Sequence, residues 1–283
     1  VDATIETIVL LKGAVVGAWF LVWFALERFR PAAREWVQSP SQSSSVGAAA
    51  TSEDDKRMGR FNRWFRNGAL FAINTLLSPA IVIPISTVMA AYGPDWRPDW
   101  VGQAYGGWAG LALDILLLDL FIYVWHRANH VLPFLWRFHQ VHHFDRHLDT
   151  TSAVRFHFGE VVLSAVTRGL YVGLLDIPLT SVLVFEAVVL LCSIFHHSNA
   201  RLPAGVERAL SMVIITPGIH WVHHHAVRKD TDSNYGTLFS FWDRVFGSRS
   251  KTARWAEMPI GLEGETVDKS LVGLLLAPIQ RPR

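Results

Sequence analysis

Residues 108–130 read WAGLALDILLLDLFIYVWHRANH. From Trp108 to Trp125 the stretch is apolar apart from Asp114 and Asp119, and it then delivers His126 and His130. About 20 such residues cross a bilayer as a helix. Side chains at i and i+4 share one helix face. The stretch therefore predicts a membrane helix that ends in two imidazoles aimed the same way. Asp119, Tyr123, His126 and His130 fall at offsets 0, 4, 7 and 11, one stripe of that helix. An acid inside a membrane helix is costly and faces the bundle interior. Asp119 is thus expected to accept a hydrogen bond from a ligand imidazole or from Tyr123, which makes both residues candidate supports of a metal site.

Outward from this stretch the same texture recurs. Ile8–Leu26 is apolar except for Lys12, and Ala69–Tyr92 is apolar with Pro79 and Pro84 inside it. Gly159–Leu175 and Ile177–Phe195 are joined at Asp176-Ile177-Pro178, which reads as a helical hairpin. Prolines are tolerated in membrane helices because neighbours satisfy the freed backbone. Five such runs exceed what the core of a soluble helical protein of this size needs, which sets that alternative aside. The composition agrees: 51% of residues are hydrophobic and only 18% charged, against roughly a quarter charged in ordinary globular chains. Disordered, collagen-like and disulfide-scaffold classes are excluded, since Cys192 is the single cysteine. A net charge of +2 gives no sign of a nucleic-acid partner. The first run lacks a basic leader and a small-residue cleavage pattern, so it reads as a retained anchor helix.

Charge sets the orientation. Arg28, Arg30, Arg34, Lys56, Arg57, Arg60, Arg63 and Arg66 crowd residues 28–67, whereas 93–107 carries only Arg97. The positive-inside rule places 28–67 in the cytoplasm. Counting spans then puts 126–158 and everything after 196 on that side, with Trp96, Trp100 and Trp108 in the opposite interfacial belt. Four segments follow: an anchor helix (1–37), a Ser/Ala-rich flexible linker (38–57), a membrane domain (58–250) and a tail (251–283) whose stretch Val267–Leu276 is amphipathic and suits a membrane surface.

All 13 histidines fall on the predicted cytoplasmic side. His139-Gln-Val-His142-His143 places His139 with i+3 and i+4 partners, and His220-Trp-Val-His223-His224 repeats the pattern. With His126 and His130 this makes eight patterned imidazoles, more than one metal ion uses. Neutral imidazole suits iron, copper, zinc and nickel. Glu186 lies 11 residues before His197, on the same helix face, which favours His197 over His196 as the inward residue. His147 and His225 read as ordinary core or surface residues. Asp114 and Arg168 have no evident partner.

The series resembles the fatty acid hydroxylase superfamily, also called the sterol desaturase family. The resemblance runs from Asp119 to Gly247. It takes in Asp119–Tyr123, His126-Arg127 and His130, then Leu135–His139 and His142-His143. Thr150–Ala153, Arg155-Phe156-His157, Glu160 and Phe195–Asn199 follow. The last blocks are Thr216-Pro217, His220, His223-His224, Asp232, Asn234–Gly236 and Trp242–Gly247. It implies an all-α integral-membrane bundle, with a four-helix core beside the anchor helix. A cytoplasmic helical cap would carry a histidine-rich dimetal site. By motif the ligands would be His126, His130, His139, His142, His143, His220, His223 and His224, with His197 a ninth and His157 a possible tenth. Phe158 stands where many relatives have Pro after that last histidine.

The implied cofactor is two iron ions, and the implied reaction is O₂-dependent hydroxylation of an unactivated C–H bond in a lipid. Desaturation is the near alternative. The chain has no cysteine cluster for iron–sulfur, no G-x-G-x-x-G after a strand and no recognisable haem domain. An external electron donor of ferredoxin or cytochrome type is therefore expected on the cytoplasmic face. Arg228, Lys229, Arg244 and Arg249 read first as solvated charge and second as part of its docking patch. Two other classes are weighed. A membrane zinc hydrolase would show an H-E-x-x-H pair, absent here. A non-catalytic metal-binding or transport protein would spread ligands across the membrane midplane.

Overall fold

The computed structural model describes residues 3–33, 53–81, 84–85, 88, 107–265 and 269–280. Among them the regular elements are helical, with no strand and only isolated bridges at Pro31–Ala200, Ile214–Phe239 and His225–Ile260. Helices α1 (Ala3–Phe29) and α2 (Glu53–Leu77) come first. Then follow α3 (Trp108–Val131), α4 (Pro133–His143), a 3₁₀ turn (Thr150–Val154), α5 (Phe158–Leu174) and α6 (Leu179–His197). Shorter helices α7 (Ala204–Leu210), α8 (Pro217–His223), α9 (Arg228–Thr231), α10 (Phe241–Val245) and α11 (Leu271–Leu276) build a cap.

Among the described residues three helices are long and apolar enough to cross a membrane: Leu10–Phe29 of α1, and α3 and α6 in full. Their outer faces explain the hydropathy. Leu10, Leu21, Leu116 and Val124 are exposed, as lipid-facing side chains would be. The run at 159–175 forms the 17-residue α5, about 26 Å at 1.5 Å per residue. That is shorter than the roughly 30 Å apolar core of a bilayer. The run at 69–92 is helical to Leu77, and most of its remainder lies outside the described residues. So do Trp96, Trp100 and residues 38–52 of the linker, whereas 53–57 already belong to α2.

The helix ends are encoded locally. The residue before a proline is pushed to extended backbone, and Leu132 has φ −89°, ψ 116°. Pro133 then opens α4 at its first position, where its missing N–H costs nothing. The chain folds back at this corner, so α4 lies against α3. Asp176, at φ +50°, sits in the left-handed region within the turn between α5 and α6. Val172, Ile177, Val182 and Phe185 pack there around Leu118 of α3.

The C-terminal ends of the three long helices meet at one level. Glu27 near the end of α1 accepts from Thr150 N–H (3.0 Å), Thr150 Oγ1 (2.9 Å) and Asn199 N–H (3.1 Å), just past α6. His130 and His197 close α3 and α6. The 251–283 segment is no free tail, although its residues 266–268 and 281–283 lie outside the described set. Leu274 and Ala277 pack on Leu70, Val141 and Phe144, covering α4.

Candidate metal centre

Nine buried histidines gather at that level into two adjoining pockets. His126, His130, His139, His143 and His223 form the first; His142, His197, His220 and His224 form the second. Within each pocket one ring nitrogen per residue lies within 4.8 Å of all the others. Helical geometry deals the residues out. On α4, His139 and His143 are i, i+4 and face the first pocket, while His142 faces the second. Around α8, His223 serves the first, with His220 and His224 serving the second. Pro217 starts α8 as Pro133 starts α4. The pockets touch: the His143 and His224 rings stack with centroids 4.5 Å apart.

The outer ring nitrogens are tied down. Nδ1–H donates to a backbone carbonyl in His126 (Tyr235 O, 2.8 Å), His142 (Arg155 O, 3.1 Å), His197 (Ser193 O, 2.7 Å) and His223 (Ser233 O, 2.7 Å). His139 Nδ1 donates to Glu160 Oε1 at 2.8 Å, and His130 Nδ1 to Asp232 Oδ1 at 3.3 Å. A carbonyl can only accept, so these contacts put the proton on Nδ1 and leave Nε2 a bare lone pair. Nε2 of His130, His139 and His223, and both nitrogens of His143, are buried without a hydrogen-bond partner. In the second pocket Nε2 of His197 lies 3.1 Å from His142 Nε2 and 2.9 Å from His220 Nε2. Lone pairs aimed at one another in a dry site repel unless a cation sits among them. This donor set fits metal ions.

The electrostatics agree. Burial, with help from neighbouring imidazoles, holds His142, His143, His220 and His224 well below the ordinary imidazole range. Burial takes His223 down to about 3. These rings are neutral at physiological pH, the form that binds metal. The last turns of α3 and α6 add the negative ends of two helix dipoles, which favour a cation.

Three expected site residues stand elsewhere. His157 belongs to neither pocket: its Nδ1 accepts from Gly159 N–H at 2.9 Å, capping α5, and its Nε2 donates to Leu275 O at 3.1 Å. Asp119 accepts from the amides of Leu238 and Phe239 (both 3.1 Å) and from Trp242 Nε1 (2.9 Å). Its carboxylate anchors the cap's return loop to α3, which leaves the imidazoles to other acceptors. Tyr123 Oη meets Ser248 Oγ at 2.7 Å, and the ring stacks on Phe246.

The supports that sequence reasoning missed are mostly backbone carbonyls. Glu160 and Asp232 were legible among the motif residues, but their partners were not. A second missed support is a buried polar network. Arg63 donates to Asp145 Oδ2 and His147 O (both 2.9 Å) and contacts Asp149. Asn67 Nδ2 donates to Thr151 Oγ1 (3.0 Å), Arg155 Nη1 to Asn67 Oδ1 (2.8 Å), and Arg155 O holds His142. Arg63 has no solvent exposure. Burial pushes the Asp149 carboxyl up, but the Arg63 guanidinium, His147 and the hydrogen bonds from Thr151 and Trp64 together hold it down at about 2.

A cavity of about 240 Å³ opens beside both pockets. Ile122, Trp125, Phe156, Val161, Val189 and Leu190 supply its apolar wall, and His126, His139, His142, His197 and His220 its other end. His196, whose ring nitrogens are both buried without a hydrogen-bond partner, lines this cavity. The arrangement can hold an apolar chain beside the histidine pockets.

Glu160 gives a direct test of the support scheme. Glu160→Ala removes the acceptor of His139 and is expected to lower metal affinity about 10- to 100-fold. Competition with a chromophoric chelator measures it; unchanged affinity would show that Glu160 does not orient the ring.

Known proteins resemble this chain. Residues 111–248 match the fatty acid hydroxylase family model. The chain is 27% identical over 203 residues to ornithine lipid hydroxylase of Rhizobium tropici, covering 72% of this chain and 59% of that one. It is 30% identical over 164 residues to a cholesterol 25-hydroxylase-like protein of Danio rerio, covering 54% and 62%. With human alkylglycerol monooxygenase it shares 29% over 133 residues, 46% of this chain and 28% of that one. The chain thus spans about 60% of the length of the first two relatives. No solved structure matches it significantly. The segment 111–248, which carries the two histidine pockets, is thus similar to the fatty acid hydroxylase family.

Proposed function

We propose that the protein is a multi-pass membrane di-iron oxygenase that hydroxylates an unactivated C–H bond of a lipid. It would use O₂ and electrons from an external ferredoxin- or cytochrome-type donor. The observation that carries this reading is the pair of adjoining, buried, all-histidine pockets whose Nε2 atoms converge at the foot of an apolar cavity. The named activities of the relatives, hydroxylases of ornithine lipid and cholesterol and a monooxygenase of alkylglycerol, support it.

The nine pocket histidines are the proposed iron ligands, five in one pocket and four in the other. When bound, the irons supply reduction of O₂ and cleavage of its O–O bond. The chain's own residues do the rest. The carbonyls of Tyr235, Arg155, Ser193 and Ser233 fix the ring orientations. The apolar cavity wall excludes water and aims the substrate carbon. The shared level of the helix ends supports a site at the membrane interface, where a lipid would have lateral access, and the charge bias of residues 28–67 supports its lying on the cytoplasmic side. The four-helix core and the division into anchor, linker, catalytic domain 58–250 and tail belong to the same proposal. Gathering of the ligands at one interface favours an enzyme over a carrier, whose ligands would be spread along a transmembrane path.

Lipid mass spectrometry of cells with and without the gene tests the reaction. A lipid that gains one oxygen atom only in expressing cells is the expected result. A loss of two hydrogens would mark a desaturase, and no change in any lipid would sink the oxygenase reading.

A further inference from the structure

Within the membrane-spanning region three charges meet. Lys12 of α1 donates to Glu186 Oε2 at 2.7 Å, and Arg168 Nη2 of α5 pairs with Glu186 Oε1 of α6 at 3.0 Å. Among the described residues two cations share one carboxylate here, so the trio carries one net positive charge. A surplus charge at this depth is costly, and ionisable groups inside a membrane protein face a cavity or a partner. Arg168 meets that rule: it lines the same cavity whose other end is formed by the pocket histidines. Glu160, which holds His139, and Arg168 lie eight residues apart on α5, a rise of about 12 Å. The cavity therefore has a histidine end, an apolar wall and a cationic end.

We propose that Arg168 is the recognition site for an anionic oxygen group on the substrate. The group would be a carboxylate or a phosphate monoester at the end of the lipid remote from the oxidised carbon. A neutral lipid would leave the surplus charge uncompensated; an anionic one completes the trio in a low-dielectric setting, where charge-assisted hydrogen bonds are strong. This rests on the lipid-oxygenase reading for the chemistry, but the binding site stands on the cavity and the charges alone.

The test is a binding titration of the full-length protein in nanodiscs of neutral lipid, with oleic acid, oleoyl lysophosphatidic acid and methyl oleate as probes. Oleic acid or the lysophosphatidate is expected to bind about tenfold or more tightly than methyl oleate; the tighter of the two names the source of the anion. Arg168→Gln should abolish that preference and leave methyl oleate binding unchanged, while Arg168→Lys retains part of it. The Gln variant leaves a balanced Lys12–Glu186 pair, so the fold should stand, and unchanged thermal unfolding checks this. If that unfolding changes, the wild-type preference and its partial retention in Arg168→Lys decide. Equal binding of all three probes by the wild type, or a preference that survives in Arg168→Gln, would overturn the proposal. Anion-selective binding without any oxidised product would keep this site and refute the oxygenase. Oxidation without selectivity would refute this site alone.

Discussion

His223→Ala is expected to empty the first pocket. His223 contributes Nε2 to a five-histidine set, and its ring is held by Ser233 O. Truncation removes a ligand and opens a void beside His126, whose ring centroid lies 4.6 Å away. Loss of an orienting partner alone costs 10- to 100-fold in metal affinity, so loss of the ligand itself should exceed about 100-fold. The purified variant should carry less metal than the wild type, and oxidised product should fall to background. His142→Ala should do the same through the second pocket. Full metal content with retained activity in either variant would remove that histidine from the ligand set. His157→Ala is the contrast: that ring caps α5 and holds Leu275 O, so metal content should stay at the wild-type level.

Arg63→Ala is expected to be as damaging without touching a pocket. Arg63 is fully buried between Asp145 and Asp149. Its removal strands two carboxylates in a site water cannot reach, and breaking a buried pair in this way costs about 3–5 kcal/mol. A fall of roughly 10 °C in the melting midpoint in detergent follows. Metal content should drop with it, because the network continues through Asn67 and Arg155 to His142. The double variant Arg63→Met with Asp149→Asn should recover part of the loss. A midpoint within a degree or two of the wild type would mean that Arg63 is a solvated orientation charge.

That contrast shows where sequence reading stops. Spacing alone brought out the patterned histidines, because i, i+3 and i+4 positions share a helix face. Of the five apolar runs, three form helices long and apolar enough to span, because burial in lipid leaves a long signature in composition, whereas the run at 159–175 forms only the shorter α5. The partition of neighbours into two pockets was not legible, since it depends on how α3, α4, α6 and α8 cross. Nor were the carbonyl partners of the Nδ1 atoms, because every residue has a carbonyl. Asp119 illustrates the limit. Its depth and phase marked a buried acid with a job, and the job turned out to be holding the amides of Leu238 and Phe239. Arg63 read as one more cytoplasmic cation, because the acids that bury it lie more than 80 residues away in sequence. His157 shares its residue type and its surroundings in sequence with the pocket histidines, and only its capping geometry separates it.

The central claim is that two irons sit in these pockets. Elemental analysis of the purified full-length protein measures this directly, by inductively coupled plasma mass spectrometry against protein quantified by amino-acid analysis. The account predicts two irons per chain, with neither zinc nor copper in comparable amount. One zinc per chain, or no transition metal after expression in iron-replete cells, would contradict it.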